Sequence, residues 1–188
     1  MPAAQLPTPT YHLSGFSGAK DTLRAMVEAA QGAQGERSAL VREATEEAIG
    51  LLAPKAYGSE ILAVAYWVTG HVHYVNDPLH TEMVKTPERL VKEVRARGYG
   101  RGDCDDLGCL IGTMALQLGR QAQLVVVGFD APGDYSHVFC RVQEPKTRQW
   151  VVCDPVAGSN IRSMLGRVRT YQIWSLDEPA SSGPMVEK

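Results

Sequence analysis

Residues 102–119 read GDCDDLGCLIGTMALQLG, and this stretch decides the fold. Leu107, Ile111, Met114 and Leu118 recur at the spacing of one buried helical face. Asp103 stands where an N-cap is wanted and Gly119 where a helix stops, so a helix is predicted over 103–118. Cys104 then falls in the first turn. Backbone N–H groups there lack intrahelical partners, and the helix dipole favours negative charge. A thiol so placed can be held as thiolate, the nucleophilic form. Taken alone, a cysteine is more often a small core residue. Asp105 and Asp106 suit the dipole but oppose a thiolate, so a cationic partner is required.

Downstream, the texture changes to sheet. Residues 123–129 form a β-branched run typical of a strand covered on both faces, and 130–134 is a turn cluster. Two further strands, 137–142 and 150–154, flank Glu144-Pro-Lys-Thr147. A four-residue turn there pairs His137 directly with Asp154, Phe139 with Val152 and Arg141 with Trp150, all on one face. The other face, Val138, Cys140 and Val142 against Val151 and Cys153, is apolar and turns to the core. A one-residue slip would separate the imidazole from the carboxylate. Residues 171–174 suggest a fourth strand, and the tail from 177 reads as loose.

Upstream, helices are predicted over 17–31, 38–52 and 57–74, and from Thr86-Pro87-Glu88 to a stop at Gly98. The first 16 residues, with three prolines, read as an arm. Helices followed by an antiparallel sheet make an α+β domain, read here as one unit over 17–176.

The chain has 188 residues, 44% hydrophobic and 21% charged, with a net charge of −2. That is ordinary globular usage without the basic excess of a general nucleic-acid binder. The longest apolar run, 61–68, is far shorter than a bilayer span. No secretory signal is read at the start, and four cysteines do not make a disulfide scaffold; both point to synthesis in a reducing cytoplasm.

A helix-terminal thiol, a strand histidine and an aspartate to orient it are the parts of a Cys-His-Asp hydrolase or acyl transferase. His137 would take the Cys104 proton and later give it to the leaving group. Asp154 would fix the tautomer, and the Cys104 N–H would be one oxyanion donor.

Gly102-Asp-Cys104-Asp-Asp, His137-Val-Phe-Cys-Arg-Val and Trp150-Val-Val-Cys-Asp154-Pro resemble, in order and spacing, the transglutaminase-like superfamily of papain-like cysteine enzymes. Trp67…His73-Tyr74-Val-Asn-Asp-Pro78 resembles the helical lead-in of bacterial members, so that the likeness covers roughly 58–156. Phe139 stands where many relatives carry Trp. The short single domain resembles versions encoded by tailed phages and prophages. The resemblance implies a papain-like α+β fold, an acyl-enzyme on an amide, peptide or ester bond, no cofactor, and a peptide or protein substrate. It also implies an aromatic second oxyanion donor, for which Tyr74 is the first candidate and Trp67 the second. The family includes members that have lost activity. The alternative is therefore a structural or assembly component of a phage particle, bound to other phage proteins in the virion, with a relic triad.

Other groupings read more simply. The cysteines lack a C-x-x-C pair for zinc, and Asp103, Asp105 and Asp106 suit a dipole better than a cation. His71 and His73 end a helical stretch, where cations are favoured. Lys85, Arg89, Lys92, Arg95, Arg97 and Arg101 read as a solvated face rather than a nucleic-acid patch.

Overall fold

The structure, a computed structural model, describes residues 18–77, 83–131 and 135–185. The predicted arm at 1–16 lies outside these residues. Among them the chain is α+β, with helices packed on a small antiparallel sheet.

Helices α1 (Gly18–Gln31), α2 (Ala39–Ile49), α3 (Tyr57–His71) and α4 (Pro87–Arg97) lead in. Ser38 caps α2 through the Val41 N–H, and its hydroxyl also donates to Glu88 of α4. Gly98 stops α4 at φ 81°, a left-handed geometry that costs glycine little. The stretch predicted as one helix to residue 74 instead breaks after His71. Val72–Tyr74 is a strand, β1, in parallel register with β2 (Gly100–Gly102), pairing Tyr74 with Gly102.

Helix α5 (Cys104–Gln117) follows at once and is buried along most of its length. The sheet has the order β5-β4-β3-β6, from β3 (Ala122–Gly128), β4 (His137–Gln143), β5 (Trp150–Cys153) and β6 (Thr170–Ser175). Strand alternation divides its side chains. Leu124, Val126, Val138, Cys140 and Trp174 join the main core with the helices, while Val125, Val127, Phe139 and Ile173 face Met164 of α6 (Ile161–Arg167). Thus β3 is covered on both faces, as its β-branched run predicts. Helix α6 was not expected; its seven residues occupy part of what reads as loop.

Two further expectations are corrected. The β4–β5 register is displaced by two residues: Cys140 pairs with Cys153, Arg141 with Val152 and Gln143 with Trp150. The connection is longer than the Pro-Lys pair suggests, because Arg148 adopts a left-handed φ of 60° and its N–H closes onto the Glu144 carbonyl. A shift of two preserves faces, so His137 and Asp154 remain on the same side as diagonal neighbours. The tail over 177–185 is not loose. Gln31 Nε2 donates to the carbonyls of Leu176 and Glu178, Ala180 is buried, and Met185 bridges to Ile173.

Candidate active site

Small residues on one stripe of α5 bring it close to β4. A Cβ on Gly112 would stand 3.5 Å from Cys140 Sγ and collide with Leu176 Cδ1 at 2.2 Å. One turn back, a Cβ on Gly108 would lie 3.7 Å from the Phe139 carbonyl carbon. Another turn back is Cys104, whose sulfur meets the Val138 backbone N–H. The helix therefore delivers the thiol to the head of β4, next to the residue that follows His137. This stripe was not singled out in the sequence, where the glycines interrupt an apolar face without marking which strand they would meet.

His137 and Asp154 come together. His137 Nε2 lies 2.7 Å from Asp154 Oδ2, with both side chains largely shielded. The other carboxylate oxygen of Asp154 accepts the N–H groups of Val156 at 2.9 Å and Ala157 at 3.0 Å. Asp154 is thus both a turn former ahead of Pro155 and a fixed partner for the ring. Since Nε2 is committed to Asp154, Nδ1 is the ring nitrogen available to a thiol.

Asp103 caps α5 by accepting the N–H groups of Asp105 and Asp106 rather than that of Cys104. The thiol donates to Asp105 Oδ1 at 3.5 Å. Burial, then the carboxylate of Asp105, push the Cys104 thiol well above the ordinary range, and the Val138 N–H offsets this only in part. Burial first, and then the carboxylate of Asp105 that the sequence already set against a thiolate, outweigh the helix dipole, so the resting group is a protonated thiol.

Tyr74 is brought to the site by the β1–β2 ladder. Its hydroxyl is pushed up by burial and by the charges of Cys104, Asp103, Asp105 and Asp154, so it stays protonated and able to donate. Trp67 is not brought there. Its indole N–H donates to Glu47 of α2 at 3.3 Å, and its ring stacks on His71 within the helical layer. His71 Nδ1 meets the Trp67 carbonyl and His73 stacks on Tyr99, so these two histidines have structural partners.

The basic stretch is largely neutralised: Arg89 pairs with Glu93, Lys92 with Glu88 and Arg95 with Glu47. Lys85 departs from the expected solvated face. Its N–H donates to Asp106 Oδ1 at 2.7 Å, and its ammonium lies 3.7 Å from Asp106 Oδ2. Asp106 is fully buried, and burial followed by the charge of Asp103 pushes its carboxyl up to about 8. Gly102 makes room for it, since a Cβ there would fall 2.6 Å from the Asp106 Cβ. Gly102→Ala should therefore cost about 1–3 kcal/mol in urea unfolding, whereas an unchanged midpoint would mean this contact does not constrain the helix start.

Beside His137 opens a groove of about 390 Å³, with Phe129, Val156, Met164 and Arg167 on its walls. Ser136 borders it on one side and Ala157, Asn160 and Ser163 on the other. No helix among the described residues is long and apolar enough to cross a membrane, and no group of three or more His, Cys, Asp or Glu there is arranged to hold a metal.

No family model matches the chain, and no curated protein matches it. Among solved structures, the chain is similar to a Parabacteroides distasonis protein described as a candidate protease, at 12% identity and a TM-score of 0.54. The match covers 89% of this chain and 30% of that protein, so this chain spans less than a third of its length. The likeness extends to the fold.

Proposed function

We propose that the protein is a thiol-dependent peptidase or amidase of the transglutaminase-like type, with Cys104, His137 and Asp154 as its triad. The observation that carries this reading is the 2.7 Å His137–Asp154 pair at the head of β4, the same strand end that receives the Cys104 sulfur. The protease description of the structural neighbour agrees with it.

The reaction follows from the resting protonation. As Cys104 Sγ attacks the carbonyl carbon, His137 Nδ1 takes the thiol proton, and Asp154 stabilises the imidazolium. The Cys104 N–H and the Tyr74 hydroxyl receive the oxyanion. Collapse breaks the C–N bond, with the imidazolium proton passing to the leaving amine. The thioester is then resolved by water, giving hydrolysis, or by a second amine, giving transfer.

A peptide vinyl sulfone separates this reading from a relic triad in a phage assembly component, which the raised thiol would suit. Intact mass should show one adduct on Cys104, forming roughly 100-fold more slowly in His137→Ala, the scale of general-base assistance. Equal rates in the two proteins would favour the assembly reading. Iodoacetamide reports the thiol alone. Its rate on Cys104 should climb about tenfold per pH unit through pH 9, because the thiolate fraction is still rising there. A plateau below pH 8 would contradict the protonated resting thiol.

A further inference from the structure

The groove beside His137 has one charged wall. From Pro155 to Leu176 the chain carries Arg162, Arg167 and Arg169 and no acidic residue, although the whole protein has net charge −2. Arg167 alone of the three lines the groove. Its guanidinium carbon sits 5.4 Å from the centre of the Phe129 ring, and no ion pair holds it among the described residues. The ring steadies the cation without neutralising it. Val156 and Met164 give the floor apolar character, and Asn160 and Ser163 supply hydrogen-bonding groups.

The position of the groove fixes which part of a substrate enters it. The acyl portion is bonded to the sulfur, while the imidazole protonates the leaving amine. A groove that starts at the imidazole therefore takes the leaving-group side. We infer that this groove is a subsite for a carboxylate on the leaving-group side of the scissile bond, read by Arg167. The inference rests on the peptidase reading above. An acidic side chain and a free C-terminal carboxylate share this chemistry.

The test uses quenched peptides with one acyl half and four leaving halves: Glu amide, Gln amide, Lys amide, and Gln with a free C-terminus. The full chain should favour the Glu over the Lys peptide roughly tenfold in kcat/KM, with the preference fading in high salt. Arg167→Glu should reverse the order, and Arg162→Ala, outside the groove, should leave the ratio intact. A matching gain for the free C-terminus identifies the terminal carboxylate as a second source. Binding of the four leaving halves to Cys104→Ala, followed by amide NMR shifts at Ala157, Ser163 and Arg167, decides the matter without turnover. Binding of the Glu half without cleavage of any peptide would sink the peptidase reading and keep the subsite. Equal binding of the Glu and Lys halves would overturn the subsite whatever the turnover.

Discussion

With Cys104 as the proposed nucleophile, Cys104→Ala is expected to lower peptide turnover by roughly 10⁵- to 10⁶-fold, the scale seen when a nucleophile is removed from a triad. The residual rate comes from substrate binding and the oxyanion donors, which the substitution spares. Stability should change by no more than about 1 kcal/mol, because the position lies at a helix end and is only partly buried. The thiol already sits protonated beside Asp105, so its removal leaves no charge without a partner. Progress curves at matched protein concentration, with urea unfolding in parallel, measure both quantities. Turnover within tenfold of the parent would remove Cys104 from the chemistry.

The second large effect concerns pH and the fold. Asp106 has a carboxyl pushed up to about 8 in the folded protein, against 3.8 for the free side chain. Between these values the folded chain holds a proton that the unfolded chain releases. The stability it contributes is complete below about pH 4 and falls by about 1.4 kcal/mol per pH unit as pH rises toward 8. The ammonium of Lys85, 3.7 Å from the carboxylate, limits the integrated loss. Glu47 and Glu88 act oppositely. Hydrogen bonds from Arg95 and Lys92 hold their carboxyls low, so their contribution is present at neutral pH and lost as pH falls. The difference between the parent and Asp106→Asn isolates the first effect. In chemical unfolding at pH 5, 6, 7 and 8, the parent should lose ground steadily against the variant. A constant difference would mean that Asp106 is ionised throughout.

Much of the site was legible in the sequence for identifiable reasons. The α5 boundaries follow from an N-cap carboxylate and a terminal glycine, both local signals. The facing of His137 and Asp154 survived a wrong register because a strand repeats every two residues. The register itself was not legible, since nothing in the sequence marks Arg148 as left-handed. Trp67 looked like a donor because an indole N–H carries no label for its partner; Glu47, 20 residues earlier, takes it. Lys85 sat among surface cations with nothing to distinguish it, and its pairing with Asp106 depends on a ladder between two three-residue strands too short to read.

The sulfur and the imidazole ride on separate elements, one at the first turn of a helix bedded on the sheet and the other at the head of the strand beneath it. Their separation is inherited from how deeply α5 beds onto β4, and Gly108 and Gly112 set that depth from one and two turns away. Widening that bed by a single methyl group would act as a spacer under a lever, moving the sulfur relative to the imidazole without touching either group.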